Sequence, residues 1–574
     1  MNRPIRLKPA LMACAAGLSL LAAQPAFAQS VDSAKLLELM VAKGLVTRAE
    51  ADALLAEATV TPASTPAPIP AGGVAGGVQT IPYIPQIVRD QIKEELRAEL
   101  GTQAQAQGWS APGQTPEWTR GITLSGDIRV RGEGVFMDAD NADIFVDYAA
   151  INAGGGQNIN DKTPGYVGPP YLNTLEDRQR ARIRARFGLK AQIDSWISAE
   201  VRVATGNDSS PVSTNQTLGG NGEFGKYALW LDRAAIRLTP AQDVALDFGR
   251  FGNPFWTSEL LFDEDLNFDG AALTARRALN RELAVFGTAG AFPIFNTDFN
   301  FGSRNAPEGK GGPFESKDKY LLAAQLGLDW TPRDDMRVRA AVGYFNFDGV
   351  EGEVSSPCQF YEVACDTDPT RPQVQQFGNT MLPIRNVIAD PLNPITSPEN
   401  QYFGLASAYE VLNVRASVDF AAFDGVGFRF EGDYVENLGL DKDRLRVRAV
   451  NNLGPSVTMP DPDNANGVIT VPGGWDGGSS GWSVKLTAGK LDLASSGDWN
   501  VHAGYRRLES DAVLDAFTDS DFHLGGTNSQ GWMIGGAYAF GKHTAFSARW
   551  LSGEEIAGAP LSADRLLIDL LTRF

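Results

Sequence analysis

The chain has 574 residues, with 50 Lys+Arg against 69 Asp+Glu and a formal net charge of −19. Such acidity argues against a nucleic-acid binder, whose phosphate-facing surface must be basic. Beyond the N-terminus no apolar run is long enough for a transmembrane helix, so a membrane-spanning reading requires a β-barrel.

Residues 1–28 have the composition of a secretory signal: Arg3, Arg6 and Lys8, then apolar Leu11–Ala23, then Ala26-Phe27-Ala28 as an A-x-A cleavage site. Leu11-Met12-Ala13-Cys14 has a lipoprotein flavour, but most of the apolar segment follows the cysteine, which favours cleavage after Ala28. Only Cys358 and Cys365 then remain, in one polar segment of an exported chain, where an oxidising compartment favours a disulfide. Residues 29–58 read as a helical hairpin, with Gly44 as a stop and Thr47-Arg48-Ala49-Glu50 at capping-box spacing. Residues 59–86 form a Pro/Gly-rich linker, and 87–117 a helix with stripe Val88, Ile92, Leu96, Leu100 plus further linker. The expectation is a periplasmic spacer that packs on itself or on a like neighbour.

From 118 to 574 the period is two. Ile122, Leu124, Gly126, Ile128 and Val130 alternate with Thr123, Ser125, Asp127, Arg129 and Arg131. A long polar segment precedes the stretch RQRARIRARFGLKAQI, where Arg178, Arg180, Arg182, Arg184 and Arg186 occupy every second place. A strand puts them all on one face and Ile183, Phe187, Leu189 and Ile193 on the other; a helix would smear five arginines around its cylinder. A turn near Asp194-Ser195 leads back into Ile197–Val203, carrying Glu200 and Arg202. Short turns recur near Thr239–Gln242, Arg277–Asn280, Thr331–Asp335, Phe423–Gly425, Ser495–Asp498 and Gly541–Lys542. Long polar segments lie between them, near Gly206–Lys226, Pro293–Lys317, Gly349–Gln401, Leu438–Ser480, Ser510–Ser529 and Gly553–Ala563.

That sorting of connections by length predicts an all-β fold: a transmembrane antiparallel barrel of about sixteen strands, with short periplasmic turns and longer outer loops. A soluble sandwich has no reason to sort its connections this way. The chain ends on an amphipathic strand at Phe574, similar to the C-terminal signal by which outer-membrane proteins engage the barrel-assembly machinery. Trp230, Trp330, Trp482, Trp499, Trp532 and Trp550 stand where aromatic girdles would.

The segments GDIRVRGE, RQRARIRARFGL, LDRAAIRL and GRFGNPFW…LNFDGAAL resemble the putative porin family of Gram-negative bacteria, over roughly Trp118–Phe574. The resemblance implies a diffusion channel in the outer membrane, in contact with its lipid and lipopolysaccharide, and names no substrate. Homotrimers are common among general porins, though no stretch here specifies a trimer interface.

Two roles are open for the arginines. They can line an aqueous pathway for small hydrophilic or anionic solutes, or pair with acidic neighbours such as Asp127 and Asp247 and hold the wall together. Asn253–Asp269, the third long connection, carries Glu259, Asp263, Glu264, Asp265 and Asp269 beside Phe255, Trp256, Leu260, Leu261 and Phe262. So many large apolar side chains predict packing against protein. By analogy with the third loop of general porins, it would set carboxylates opposite arginine at a constriction. The alternative is a loop packed on top of the barrel.

Asp263, Asp265, Asn267 and Asp269 have the alternation of a calcium loop, but Phe268 replaces the turn glycine and Thr274 the bidentate acid, so no metal is expected. No motif calls for a cofactor. Competing readings are an adhesin or receptor using the loops around Cys358 and Cys365, and a hydrolase built on His523 with Asp519, Ser520 and Asp521. No enzymatic activity is expected.

Overall fold

A computed structural model describes residues 117–302, 313–422, 425–460, 468–471 and 473–574. The expected signal peptide, helical hairpin, linker and nearly all of the 87–117 segment lie outside the described residues. Sixteen antiparallel strands form one closed ring. In chain order they are β1 (Ile122–Met137), β2 (Arg178–Asp194), β3 (Ile197–Ala204), β4 (Trp230–Ala241), β5 (Val244–Gly252) and β6 (Asn267–Ala278). Then follow β7 (Leu283–Phe295), β8 (Lys319–Arg333), β9 (Met336–Asp348), β10 (Tyr409–Ala421) and β11 (Gly427–Asn437). The last are β12 (Ser480–Gly489), β13 (Trp499–Leu508), β14 (Ser529–Ala539), β15 (Thr544–Glu555) and β16 (Ser562–Arg573).

Each strand pairs with its sequence neighbour, and β16 closes on β1 with Arg131 opposite Asp569. The chain terminus completes the seam: Phe574 and Gly126 exchange backbone hydrogen bonds of 2.9 and 3.0 Å. Closure leaves no unpaired strand edge, which a lipid environment requires. Because β3 is shorter than β2, the two-residue strand Gln216–Thr217 pairs with the upper part of β2 in its place.

One side of the ring carries the short turns and the other the connections L1 (138–177), L2 (205–229), L3 (253–266), L4 (296–318), L5 (349–408), L6 (438–479), L7 (509–528) and L8 (556–561). The sorting departs from expectation twice. Gly553 and Ala563 are paired strand residues, so L8 is short. Asp269 belongs to β6 opposite Arg250, so L3 ends at Leu266. Both departures arise because ladder hydrogen bonds carry small and polar residues into a strand whose pattern alone would end it earlier.

Ile128, Val130, Val201, Leu326, Val342, Val484 and Ile534 project from the outer wall and are exposed. The six tryptophans named above are also half-exposed there; Trp550 stacks on Phe136, and Tyr505 packs against Trp482 and Trp532. Inside, the loop-side half of the bore holds a hydrophobic core: Phe255, Leu261 and Phe262 of L3 pack with Phe268, Phe292 and Phe345 of the wall. The aromatic rings meet edge to face at centroid separations of 5.0–6.1 Å. Cys358 and Cys365 form a disulfide within L5.

Candidate functional site: the bore and its inserted loops

L3 is turned into the bore by the hairpin that carries it. Gly249 and Gly270 face each other across β5 and β6, with φ +108° and +139°. A Cβ on either would lie 2.4 or 2.3 Å from a neighbouring carbonyl oxygen, so the bend requires glycine. Beyond it L3 crosses the bore. At its start, Trp256 exchanges two backbone hydrogen bonds with the Gln325 amide of β8, at 2.8 and 3.1 Å. The Trp256 ring lies under the guanidinium groups of Arg339 (β9) and Arg415 (β10), 4.5 and 4.6 Å from its centroid. The Ser258 hydroxyl donates to Asp433 of β11 at 2.5 Å. At its end, Asp265 accepts from Arg184 and Arg186 of β2 at 3.5 and 3.0 Å, and from the Thr214 hydroxyl of L2 at 2.9 Å. β2 and β10 are eight strands apart in a ring of sixteen, so these anchors are on opposite walls.

The arginine face of β2 is inward and extensively paired. Arg180 and Arg182 share Glu133 of β1 at 2.7 and 3.2 Å. Arg184 and Arg186 share Asp127 at 2.9 and 2.7 Å as well as Asp265. Arg178, at the loop-side end, is exposed and makes no ion pair among the described residues. On β1, Arg131 is 1% exposed, sealed between Asp569 of β16 (2.7 Å) and Asp521 of L7 (2.8 Å). Arg131 therefore faces inward but not onto an open lumen: L7 covers it. Arg129 donates to Asn215 at 2.6 Å and has no carboxylate in salt-bridge range among the described residues.

Further along the wall, Glu200 pairs with Arg233, Arg202 with Asp232, and Asp247 with Arg237. Of the acidic L3 residues, Glu264 is exposed, whereas Asp263 and Asp265 are buried. Glu259, Asp263 and Glu264 help line a cavity of about 230 Å³ between L3 and the wall, with Arg415, Lys485 and Arg506 among its cations. Asp269 pairs with Arg250.

L7, which the period-two pattern did not flag as part of the site, docks on L3. The Asp263 N–H donates to the Phe517 carbonyl, the Ser520 N–H to the Asp263 carboxylate, and the Thr518 hydroxyl to the Glu259 carbonyl, at 2.8, 3.1 and 2.8 Å. Asp519 pairs with Arg506, and Asp521 with Arg131 and Arg549. Burial would raise the Asp521 carboxyl, but Arg131, Arg549 and Arg565 together hold it far below the usual carboxylate range. Asp265 is held low by Arg184 and Arg186 against the same burial. Asp519 goes the other way: burial and the neighbouring Glu259 outweigh Arg506 and push it up to about 6. Burial, reinforced by Asp519, also raises Asp263 well above its ordinary value.

These pairings leave the hydrolase reading without a dyad. The His523 ring contacts the Leu561 carbonyl at 3.4 Å, and burial lowers its pKa to about 4. Asp519 and Asp521 bond arginine instead. The Asp263 carboxylate accepts backbone N–H groups of Asp265 and Ser520, so the alternating acids of L3 do not converge. Among the described residues no cluster of three or more His, Cys, Asp or Glu could hold a metal ion.

A family model described as "Putative porin" matches residues 31–574. The chain belongs to this porin family. With its closed barrel and apolar outer wall, this porin-family protein is an outer-membrane channel. Among solved structures, the outer membrane channel DcaP of Acinetobacter baumannii is 11% identical, with 79% of this chain and 97% of that chain covered and a TM-score of 0.36. A loop L8 deletion mutant of OmpT, an outer membrane protein of Vibrio cholerae, is 11% identical, with 79% and 100% covered and a TM-score of 0.35. Salmonella typhi OmpF in complex with daunomycin is 10% identical, with 79% and 97% covered and a TM-score of 0.32. No curated protein sequence matches the chain.

Proposed function

We propose that this porin-family channel passes small hydrophilic solutes by diffusion and favours anions along the wall formed by β1, β2, β15 and β16. The observation that carries the preference is a local imbalance. Among the described residues Arg131, Arg180, Arg182, Arg184, Arg186, Arg549 and Arg565 ion-pair only with Asp127, Glu133, Asp265, Asp521 and Asp569, and Arg129 pairs with no carboxylate. Eight guanidinium groups against five carboxylates leave a positive excess, concentrated where low-dielectric walls focus the field. Glu259 and Glu264 of L3 line a cavity that also holds Arg415, Lys485 and Arg506, and on this reading the charges of L3 and the wall together orient dipolar solutes and disfavour apolar ones. L3 and L7 together narrow the passage. The N-terminal segment extends into the periplasm, and the Phe574 strand is the element that the assembly machinery would engage.

The test is the reversal potential of the full chain in a planar bilayer under a salt gradient. Wild type should be anion-selective, and replacing Arg180 and Arg182 by Gln should lower the anion/cation ratio at least twofold. An unchanged ratio would assign these arginines to wall cohesion alone.

A further inference from the structure

Where L2, L3, L5 and L7 meet the loop-side ends of β6–β8, they line a partly open apolar cavity of about 200 Å³. Its walls are mostly apolar, and Phe262, Phe268, Phe292, Phe295 and Phe517 supply its aromatic rings. Two charged features reach it. Arg250 and Asp269 neutralise each other at 2.7 Å. Lys319 does not have such a partner: it is 4% exposed, its Nζ donates to the Thr370 and Arg371 carbonyls at 3.0 and 2.7 Å, and no carboxylate lies within salt-bridge range among the described residues. An ammonium group has three N–H donors; two carbonyls and the Phe295 ring, 5.6 Å from Nζ to its centroid, face it, and none of them supplies a formal countercharge. A buried cation without an anion is costly, and a ligand carboxylate at this edge would relieve the cost.

The size of the cavity limits the rest of the ligand. An apolar cavity of ~150 Å³ stays dry and binds benzene. One of about 200 Å³ has room for a single ring with a small substituent. We propose that this cavity is a binding site for a monocyclic aromatic carboxylate, its ring among the phenylalanines and its carboxylate on Lys319 Nζ. As a transport role, the assignment rests on the channel reading above and names a solute class met at the outer mouth. As a binding site it stands independently.

The experiment is a ¹⁹F NMR titration of the full chain in detergent micelles with 4-fluorobenzoate and its neutral analogue 4-fluorobenzyl alcohol. Wild type should show saturable binding of the benzoate at least tenfold tighter than of the alcohol. Lys319→Met should weaken the benzoate at least tenfold and leave the alcohol within about twofold. Val374→Trp, which fills the cavity from L5 and keeps the lysine, should abolish saturation by both probes. A benzoate signal that never saturates in wild type overturns the site, as does benzoate binding that survives Val374→Trp. So does a benzoate-to-alcohol ratio that Lys319→Met leaves unchanged. Conductance of the same preparation separates the two readings: a silent barrel that binds 4-fluorobenzoate overturns the channel, and a conducting barrel that binds neither probe overturns this site alone.

Discussion

The same chemical pair, arginine with aspartate, serves two different purposes at two levels of the bore. Where L3 and L7 are inserted, Arg131 and Asp569 are 1% and 8% exposed, and Arg184 and Asp127 are nearly as dry. Toward the short turns, Arg337–Asp329, Arg237–Asp247 and Arg429–Asp419 span neighbouring strands with guanidinium groups that are one-third to one-half exposed, though Asp329 and Asp247 are as dry as Asp569. Water screens the second set, so each contributes little; the first set is held in low dielectric, where a partner cannot be removed without stranding a charge. On the proposed reading the dry level sets the shape of the passage, and the wet level lines its more accessible part.

The comparison can be broken most severely at Arg131. Arg131→Met strands Asp569 and leaves Asp521 with Arg549 as its remaining ion-pair partner, and should destabilise the barrel by about 3–5 kcal/mol, read as a lower denaturant midpoint in reversible detergent unfolding. A loss below about 1 kcal/mol would mean that water already reaches this level.

A smaller effect is expected from pH. The Asp519 carboxyl is raised to about 6 by burial and Glu259, and Asp515, also in L7, is raised to about 7 by burial. A carboxylate with a raised folded-state pKa binds its proton more tightly when docked. The L3–L7 contact is therefore favoured at low pH and weakens as pH climbs from about 4 to about 7. Asp265 and Asp521 are shifted down, so their contribution is lost only on acidification below that window. Amide exchange in 509–528, corrected for intrinsic rates, should accelerate severalfold from pH 5 to pH 8; slowing over this range would reverse the assigned signs.

The smallest effect belongs to the wet level. Arg337→Gln should cost less than about 1 kcal/mol in the same unfolding assay. A cost as large as that of Arg131→Met would erase the distinction between the levels.

The barrel was legible because a period of two and length-sorted connections are local signals. The strand count and the inward arginine face of β2 follow from them. The partners of that face were only partly legible. Asp127 stood out as a neighbour, but Glu133, two strand positions beyond Arg131, did not, and Asp521 reaches Arg131 from 390 residues away. Nothing in the local pattern of L7 distinguishes a docked loop from a solvated one. One overlooked signal lies in FPIF and YFNF at the ends of β7 and β9, where phenylalanine replaces the polar inward residues of a water-filled bore. Phe292 and Phe345 there are the receptors for L3. Gly249 and Gly270 are another: two glycines flanking one loop at matched positions are a hinge that only strand pairing reveals.

The central claim is that L3, anchored on opposite walls, narrows a conducting bore. The most direct measurement is single-channel conductance in a planar bilayer for wild type and for a variant in which a short Gly-Ser linker replaces residues 255–265. Steady ohmic openings in wild type, with at least a twofold larger conductance in the shortened variant, are the predicted result. Equal conductance from two equally well-folded barrels would contradict the claim.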